Sequence, residues 1–357
     1  MYRKTMSKTK KNYNTKIIND YELLKLMMKD TYIVDEFYQP GPYWANKTKS
    51  AFNEIKKFGL NDFRGAKNGI ATSYGDNALV DSRGNYNFGI RAIFSKIFRN
   101  IFPFNKLFDN QVNLTFNYFQ EANDYKNLYL KNNERVKHLL SIYDLNFETT
   151  KGGCLMFGEF NGVNISHHYL QLLDTLDIIN TQSNILNKKY FFEIGGGFGA
   201  NTHLIIELFK IKKIIYLDIA PNLYVGTQYL KSFYGESVID YKRSKNMEVI
   251  KFTDTDELEI FCITPQQIEK VKSKIDLFHN AHSFVEMPVN VVNNYAKKIE
   301  AIMSRDNSTI SLVSYDGFDL STTINPEKLP NFFTKKVKKS IIPTLIPKRL
   351  NYHFILE

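Results

Sequence analysis

The pattern of apolar and polar positions changes character at about residue 150. Before it, apolar residues recur at helical spacing in Tyr21-Glu-Leu-Leu-Lys-Leu-Met-Met28 and in Ala51-Phe-Asn-Glu-Ile-Lys-Lys-Phe58. Between them Gln39-Pro-Gly-Pro-Tyr-Trp44 reads as a breaker-rich loop. Residues 69–89 read as a long glycine-rich loop, 90–102 as an amphipathic basic helix, and 117–143 as further helix. Residues 1–20 are polar, basic and aperiodic, which predicts a disordered tail. Residues 151–189 form a bridge, loop-like over 152–162 and helical over 165–180.

From Lys189 onward the pattern alternates strand with helix. Strands are predicted at 190–194, 213–218, 258–263, 275–280 and 309–314, separated by helices at 200–209, 223–233, 264–271 and 289–303. The polar stretch 235–257 reads as an irregular insertion. Two more strands, 340–345 and 352–356, close the chain as a hairpin, and Pro343 requires the first of them to lie at an edge or bulge. Alternation of this kind predicts an α/β fold, a Rossmann-like parallel sheet covered by helices on both faces. Three parts follow: the tail 1–20, a helical N-terminal region 21–150, and a sheet domain 151–357.

The first strand of that sheet ends in Glu193-Ile-Gly-Gly-Gly-Phe-Gly-Ala200. A strand turning into a helix through glycines is expected to aim backbone N–H groups at an open crevice, where a ligand excludes side chains. Two cofactor classes match. Gly195, Gly197 and Ala200 fit the dinucleotide pattern G-x-G-x-x-G/A, while Glu193, Gly195, Gly197 and Gly199 fit the E/D-x-G-x-G-x-G loop of S-adenosylmethionine (SAM) enzymes, with Gly196 inside it. Asp218, at the end of the second strand and followed by Ile219, can accept ribose hydroxyls in either class. Glu193 favours SAM, because a dehydrogenase strand is usually apolar there and a buried carboxylate needs donors or a positive partner. The terminal hairpin favours SAM as well.

Charge changes the picture little. The formal net charge is +10, but twelve of the 47 basic residues lie in acid-free stretches around 3–16 and 335–349, leaving 35 against 37 acidic ones. Nucleic acid is therefore not the expected partner, since its enzymes spread basic residues over a binding face. Two cysteines make neither a disulfide framework nor a cysteine zinc site, and no apolar run approaches the ~18 residues of a membrane span. A cytoplasmic protein is expected, with the inner membrane surface as the alternative location. Glu286 and other carboxylates could hold a divalent metal, but no compact ligand cluster demands one.

Glu193 to Gly199, Asp218 and Asn280-Ala-His-Ser-Phe-Val-Glu-Met287 resemble the sugar O-methyltransferases of bacterial surface-polysaccharide loci, members of the class I SAM-dependent methyltransferases. That family carries a Tyr/Phe-Trp element, a Gly-Leu…Phe-Arg element and an Asn-x-x-Ser-x-x-Glu-Met loop after the fourth strand. Here they read Tyr43-Trp44, Gly59-Leu60…Phe63-Arg64, and Asn280, Ser283, Glu286, Met287. The resemblance covers residues 40–357. It implies a seven-stranded sheet under a helical N-terminal cap, S-adenosyl-L-methionine as cofactor, and a sugar or glycan hydroxyl as acceptor.

A sugar hydroxyl is a weak acid, so a base must take its proton as the bond to the methyl forms. His282 is the first choice, with Glu286 as orienting group, alternative base or sugar ligand, and Ser283 beside them. Asn280 joins Ile219 on the cofactor side. Tyr315 and Asp316 are further acceptor-pocket candidates, His279 is expected to pack, and His167 and His168 to pack or touch substrate rather than bind metal. RNA ribose methylation and a non-catalytic SAM-fold binding module are the alternatives; the absence of an Asn/Asp-Pro-Pro-aromatic tetrapeptide counts against base N-methylation. The number of subunits is not legible.

Overall fold

The structure is a computed structural model that describes residues 16–64, 133–154, 157–304, 307–315, 324–343 and 350–357. The basic tail before residue 16, the loop expected over 69–89, the basic helix over 90–102 and Asp316 lie outside the described residues.

The N-terminal region begins with α1 (Tyr21–Thr31), capped by the Asp20 carboxylate, which accepts the Leu23 N–H at 3.0 Å. A 3₁₀ turn (Glu36–Tyr38) leads into α2 (Pro42–Phe58). Here the breaker-rich reading is corrected. Pro42 is the first residue of the helix, a position that needs no N–H, so Tyr43 and Trp44 lie on a helix rather than a loop. After α3 (Glu134–Ile142), the bridge also departs from expectation. β1 (Phe157–Phe160) and β2 (Val163–Ser166) form an antiparallel hairpin where a loop and a helix start were expected. Its turn residues Asn161 and Gly162 both have positive φ, 51° and 77°, as a two-residue hairpin turn demands.

α4 (His167–Ser183) then precedes the main sheet. β3 (Tyr190–Ile194), α5 (Ala200–Phe209), β4 (Lys213–Leu217) and α6 (Asn222–Tyr234) follow the expected alternation. The supposed insertion contains the short strand β5 (Val238–Ile239) and α7 (Tyr241–Ser244). β6 (Glu259–Ile263), β7 (Leu277–Ala281), α8 (Val289–Ile302) and β8 (Thr309–Tyr315) complete the parallel part. The segment Pro265–Lys270 is 3₁₀ rather than α. β9 (Val337–Pro343) and β10 (Leu350–Leu356) are the terminal hairpin.

The sheet order is β5-β6-β4-β3-β7-β8-β10-β9, with β10 antiparallel to both β8 and β9. Seven of these strands are the sheet expected from the sequence; β5 is an eighth, at one edge. β9 with its Pro343 is the other edge, as expected. Phe191 and Phe192 face opposite sides of β3, and a separate apolar core covers each face. The first of those cores also takes in Leu23, Leu24, Met27, Ala51 and Ile55 from α1 and α2. Polar ties hold α1 against α7: Lys245 Nζ lies 2.6 Å from Asp30, Tyr241 donates to the same carboxylate at 2.8 Å, and Lys242 reaches Asp20 at 2.7 Å. The polar residues that resemble an insertion in sequence thus form the dock for the N-terminal helix. Among the described residues no helix is long and apolar enough to cross a membrane.

Candidate functional site

The chain runs from β3 outward to β4 and β6 on one side, then returns to add β7 and β8 on the other. The switch between β3 and β7 opens a crevice at the carboxyl ends of the strands, where ligands of open α/β sheets gather. A cavity of about 190 Å³ lies there, walled by the glycine loop, the ends of β4 and β7, the start of α8 and the N-terminal segment.

The glycine loop is shaped by the protein's own packing. Glu193 is buried at 3% exposure, and its carboxylate accepts from Asn201 Nδ2 at 3.0 Å and Thr202 Oγ1 at 2.9 Å, both in the first turn of α5. The acid therefore ties strand to helix across the loop. Burial pushes its pKa up to about 7 despite those two donors. Gly195, Gly197 and Gly199 have φ of 76°, 62° and 85°, a region that side-chain-bearing residues avoid. A Cβ on Gly195 would stand 2.3 Å from Ser283 Oγ, and one on Gly196 would stand 2.7 Å from both Glu193 and Tyr216. At Gly195 and Gly196 close approach within the protein is by itself enough to exclude a side chain.

Three of the loop's N–H groups are taken up within the protein. Gly195 donates to Leu217 O at 2.8 Å, Gly197 to Asp218 Oδ2 at 2.9 Å and Gly199 to Gly196 O at 3.0 Å. Asp218 also accepts the Ile219 N–H at 2.7 Å, so its carboxylate braces the loop while facing the cavity. Burial is the largest influence on it and raises its pKa to about 7. Gly199 packs against Leu230 behind the loop.

At the end of β7 the Asn280 side chain sits behind the cavity wall. It donates to Ile194 O at 2.8 Å and to Ser283 Oγ at 2.5 Å, and accepts the Phe284 N–H at 3.1 Å. Asn280 and Ser283 together pin the β7 loop to the end of β3. Ser283 lines the cavity but is placed by these bonds against Gly195. His282 also lines the cavity and has φ of 66°, while its N–H donates to Val313 O at 2.7 Å. A histidine in the left-handed region at the mouth of a crevice is the kind of backbone strain found at functional sites. His279 packs, as expected. It lies fully buried in a row across three strands, its Nδ1 3.1 Å from Ser311 Oγ, which lies 2.9 Å from His353 Nε2. Burial holds both of these histidines down at about 3, so they are neutral.

Glu286 is nearly buried, and its Oε2 accepts the indole N–H of Trp44 at 2.8 Å. This bond joins two sequence elements 242 residues apart. Phe37, Gln39 and Gly41 from the same N-terminal segment complete that side of the cavity, together with Met287 and Pro288. No periodicity in the sequence signals these contacts. The lone tryptophan after a Pro-Gly-Pro breaker was the available pointer. His168 lines the cavity with its ring 5.5 Å from that of Phe198. His167 lies instead within 3.4 Å of Gln171. The side chain of Tyr315 lies outside the described residues.

The second N-terminal element acts from behind. Phe63 packs edge-on against Phe198 of the glycine loop at 5.4 Å, and fully buried Arg64 donates to Thr149 O, Lys151 O and Ser166 Oγ at 2.7–3.2 Å.

The charged side chains around the cavity share one sign. Glu193, Asp218 and Glu286 line it, and among the described residues no lysine or arginine does. Among the described residues no three His, Cys, Asp or Glu side chains are grouped as metal ligands.

No protein-family model matches the chain, and no curated protein matches it. Solved structures do. A S-adenosylmethionine-dependent methyltransferase from Clostridium acetobutylicum is 12% identical, over 53% of this chain and 92% of its own, with a TM-score of 0.36. Magnesium protoporphyrin IX methyltransferase from Synechocystis PCC 6803, with bound SAH, is 9% identical over 53% and 84%, at 0.35. The mitomycin 7-O-methyltransferase MmcR is 11% identical over 53% and 57%, at 0.33. Likeness at this level assigns neither cofactor nor acceptor to this chain.

Proposed function

We propose that the chain is a SAM-dependent O-methyltransferase acting on a hydroxyl of a sugar in a surface polysaccharide or its precursor. The observation that carries the cofactor half is the sign of the cavity. Among the described residues three carboxylates line it without a lysine or arginine, and the Gly197 N–H is already bonded to Asp218. A pyrophosphate needs free N–H groups or positive charge. A ligand carrying an ammonium and a sulfonium is instead attracted by such a cavity. The residues present therefore fit SAM better than a dinucleotide. Glu193, Gly195, Gly196, Gly197 and Gly199 would hold it through the loop, Asp218 and Ile219 at the end of β4, and Asn280 by fixing the loop from behind. When bound, SAM supplies an electrophilic methyl group.

This chain's own groups supply positioning and proton transfer. His282 takes the acceptor hydroxyl's proton, and Glu286 orients the acceptor or His282. Ser283 keeps the β7 loop against Gly195, which holds His282 at the mouth. The N-terminal region covers the acceptor side. The sugar acceptor rests on the family resemblance together with the hydrogen-bonding side chains His168, His282 and Glu286 around the cavity.

Calorimetry with SAM, S-adenosylhomocysteine and NAD tests the cofactor. SAM should bind, Asp218→Ala should weaken it at least tenfold, and binding by NAD but not SAM would overturn the reading. Methyl transfer from labelled SAM to nucleotide sugars, glycan fragments and RNA tests the acceptor, and label in RNA alone would remove the sugar. Full turnover by His282→Ala would remove the assigned base.

A further inference from the structure

We infer that Trp44 is a positioning residue that acts through Glu286, and that the N-terminal segment 37–44 is thereby part of the acceptor pocket; this rests on the methyltransferase reading. The segment reaches the site by a defined path. Tyr38 donates to Glu269 and its hydroxyl is 3.2 Å from Asn294 Nδ2 of α8. Its ring packs edge-on against Tyr295, itself a wall of the cavity. Gly41 then passes so close to α8 that a Cβ would lie 3.3 Å from Pro288. Pro42 starts α2 immediately, so the first helical turn carries Trp44 to the cavity.

The indole N–H is a donor only, and the acceptor it meets is a carboxylate. A hydrogen bond to a charged acceptor is among the stronger ones and fixes direction as well as distance. Glu286 ends a short 3₁₀ turn, Phe284–Glu286, and its carboxylate is held from across the cavity by a residue of another region. Tyr43 stands edge-on to Trp44 at 5.5 Å, and the Lys47 ammonium lies 4.0 Å from the Tyr43 ring and 5.5 Å from that of Trp44, which steadies the indole. A side chain meant only to fill space there would not need an N–H. Phenylalanine, abundant in this chain, would serve equally well.

Trp44 is the only tryptophan of the 357 residues, so its fluorescence reports this one contact directly. In the full-length protein, Glu286→Leu, which removes the acceptor of the indole N–H, should shift Trp44 emission. Adding S-adenosylhomocysteine should shift emission in the wild type. Identical emission in wild type and Glu286→Leu would overturn the contact. Trp44→Phe keeps the ring and loses the donor. With an acceptor from the sugar panel it should lower kcat about 10- to 100-fold, with the KM for SAM changed less than about threefold, and shift the pH profile. A loss confined to KM for SAM, or unchanged kinetics, would overturn the positioning role. Calorimetry with SAM on the same variant shows that it is folded and separates a failed inference from a failed cofactor assignment. Were no sugar methylated, the fluorescence comparison would still decide whether Trp44 and Glu286 are coupled.

Discussion

Gly196 separates packing from backbone conformation within the glycine loop. Unlike Gly195, Gly197 and Gly199, it is not in the positive-φ region, so an alanine there is opposed by space alone. Its Cβ would meet the Glu193 carboxyl and the Tyr216 ring at 2.7 Å. Tyr216 is backed at its far end by Gly226, where a Cβ would fall 2.2 Å from the phenol oxygen, so the ring has no room to retreat. Gly196→Ala should therefore lose about 1–3 kcal/mol in urea unfolding, the usual penalty of overpacking, and lose SAM binding with it. An unshifted midpoint would show that the ring and carboxyl yield easily.

The same residue scale sets a pH dependence. Glu193 and Asp218 titrate near 7, against 4.5 and 3.8 for the free side chains. Their burial costs stability that begins above those lower values and is complete above about 7, so they favour the folded state as pH falls through that window. Buried neutral His279 and His353 act oppositely: lowered from 6.5 to about 3, they remove stability as pH falls below 6.5. The two pairs offset one another between about 4.5 and 6.5, so unfolding free energy should be nearly flat there and fall on either side. A cation in the cavity favours the ionised carboxylates. SAM affinity should thus rise with pH up to about 7, and calorimetry below that pH should detect proton release. Affinity independent of pH would mean that neither carboxylate senses the ligand.

At the scale of elements, the β1–β2 hairpin shows how much a two-residue signal can hold. Gly162 has φ of 77°, and nothing lies within 4 Å of where a Cβ would stand, so Gly162→Ala carries only the conformational penalty of the left-handed region, about 1 kcal/mol. Urea unfolding checks it, and a loss several times larger would mean that the turn packs against something. Asn161-Gly162 is a recognisable hairpin signal, but the flanking Gly152-Gly153 and the short four-residue strands made the stretch look like loop. The central strands were legible because each carries a mostly apolar run between turns, as a doubly covered sheet requires. The start of α2 was not, because proline breaks a helix at every position except the first turn, and sequence alone does not show which turn it occupies. In the site, Glu193 was legible from the glycine motif, Asp218 from its place at a strand end, and the 280–287 loop from the family resemblance and its place after a strand. Trp44 and Phe37 were not, since their contacts depend on how a distant segment crosses the sheet.

At the scale of the whole molecule, the N-terminal region and the sheet domain share apolar core and are joined by the buried cation of Arg64 as well as by the polar ties of α1 to α7 and of Trp44 to Glu286. Leu23, Leu24, Met27, Ala51 and Ile55 share an apolar cluster with Phe191, Leu204 and Ile214 of the sheet domain. Arg64, fully buried, donates to Thr149 O and, beyond residue 150, to Lys151 O and Ser166 Oγ, while its own backbone N–H donates to Gly152 O at 2.7 Å. Its guanidinium carbon lies 4.8 Å from the centre of the Phe198 ring, so the glycine loop rests on this clamp. Arg64→Met preserves much of the volume but strips donors from two carbonyls and a hydroxyl in a buried place. The expected loss is about 3 kcal/mol, the order expected when buried acceptors lose a charged donor. Because the core is shared, the loss should appear as one cooperative transition moved to lower urea, seen alike by Trp44 fluorescence and by far-ultraviolet circular dichroism. Two separated transitions, with the Trp44 signal leaving first, would make the N-terminal region an independently unfolding unit docked on the sheet domain. The same variant should weaken SAM binding although Arg64 is not a wall of the cavity, because Phe198 and the loop it belongs to lose their support from behind.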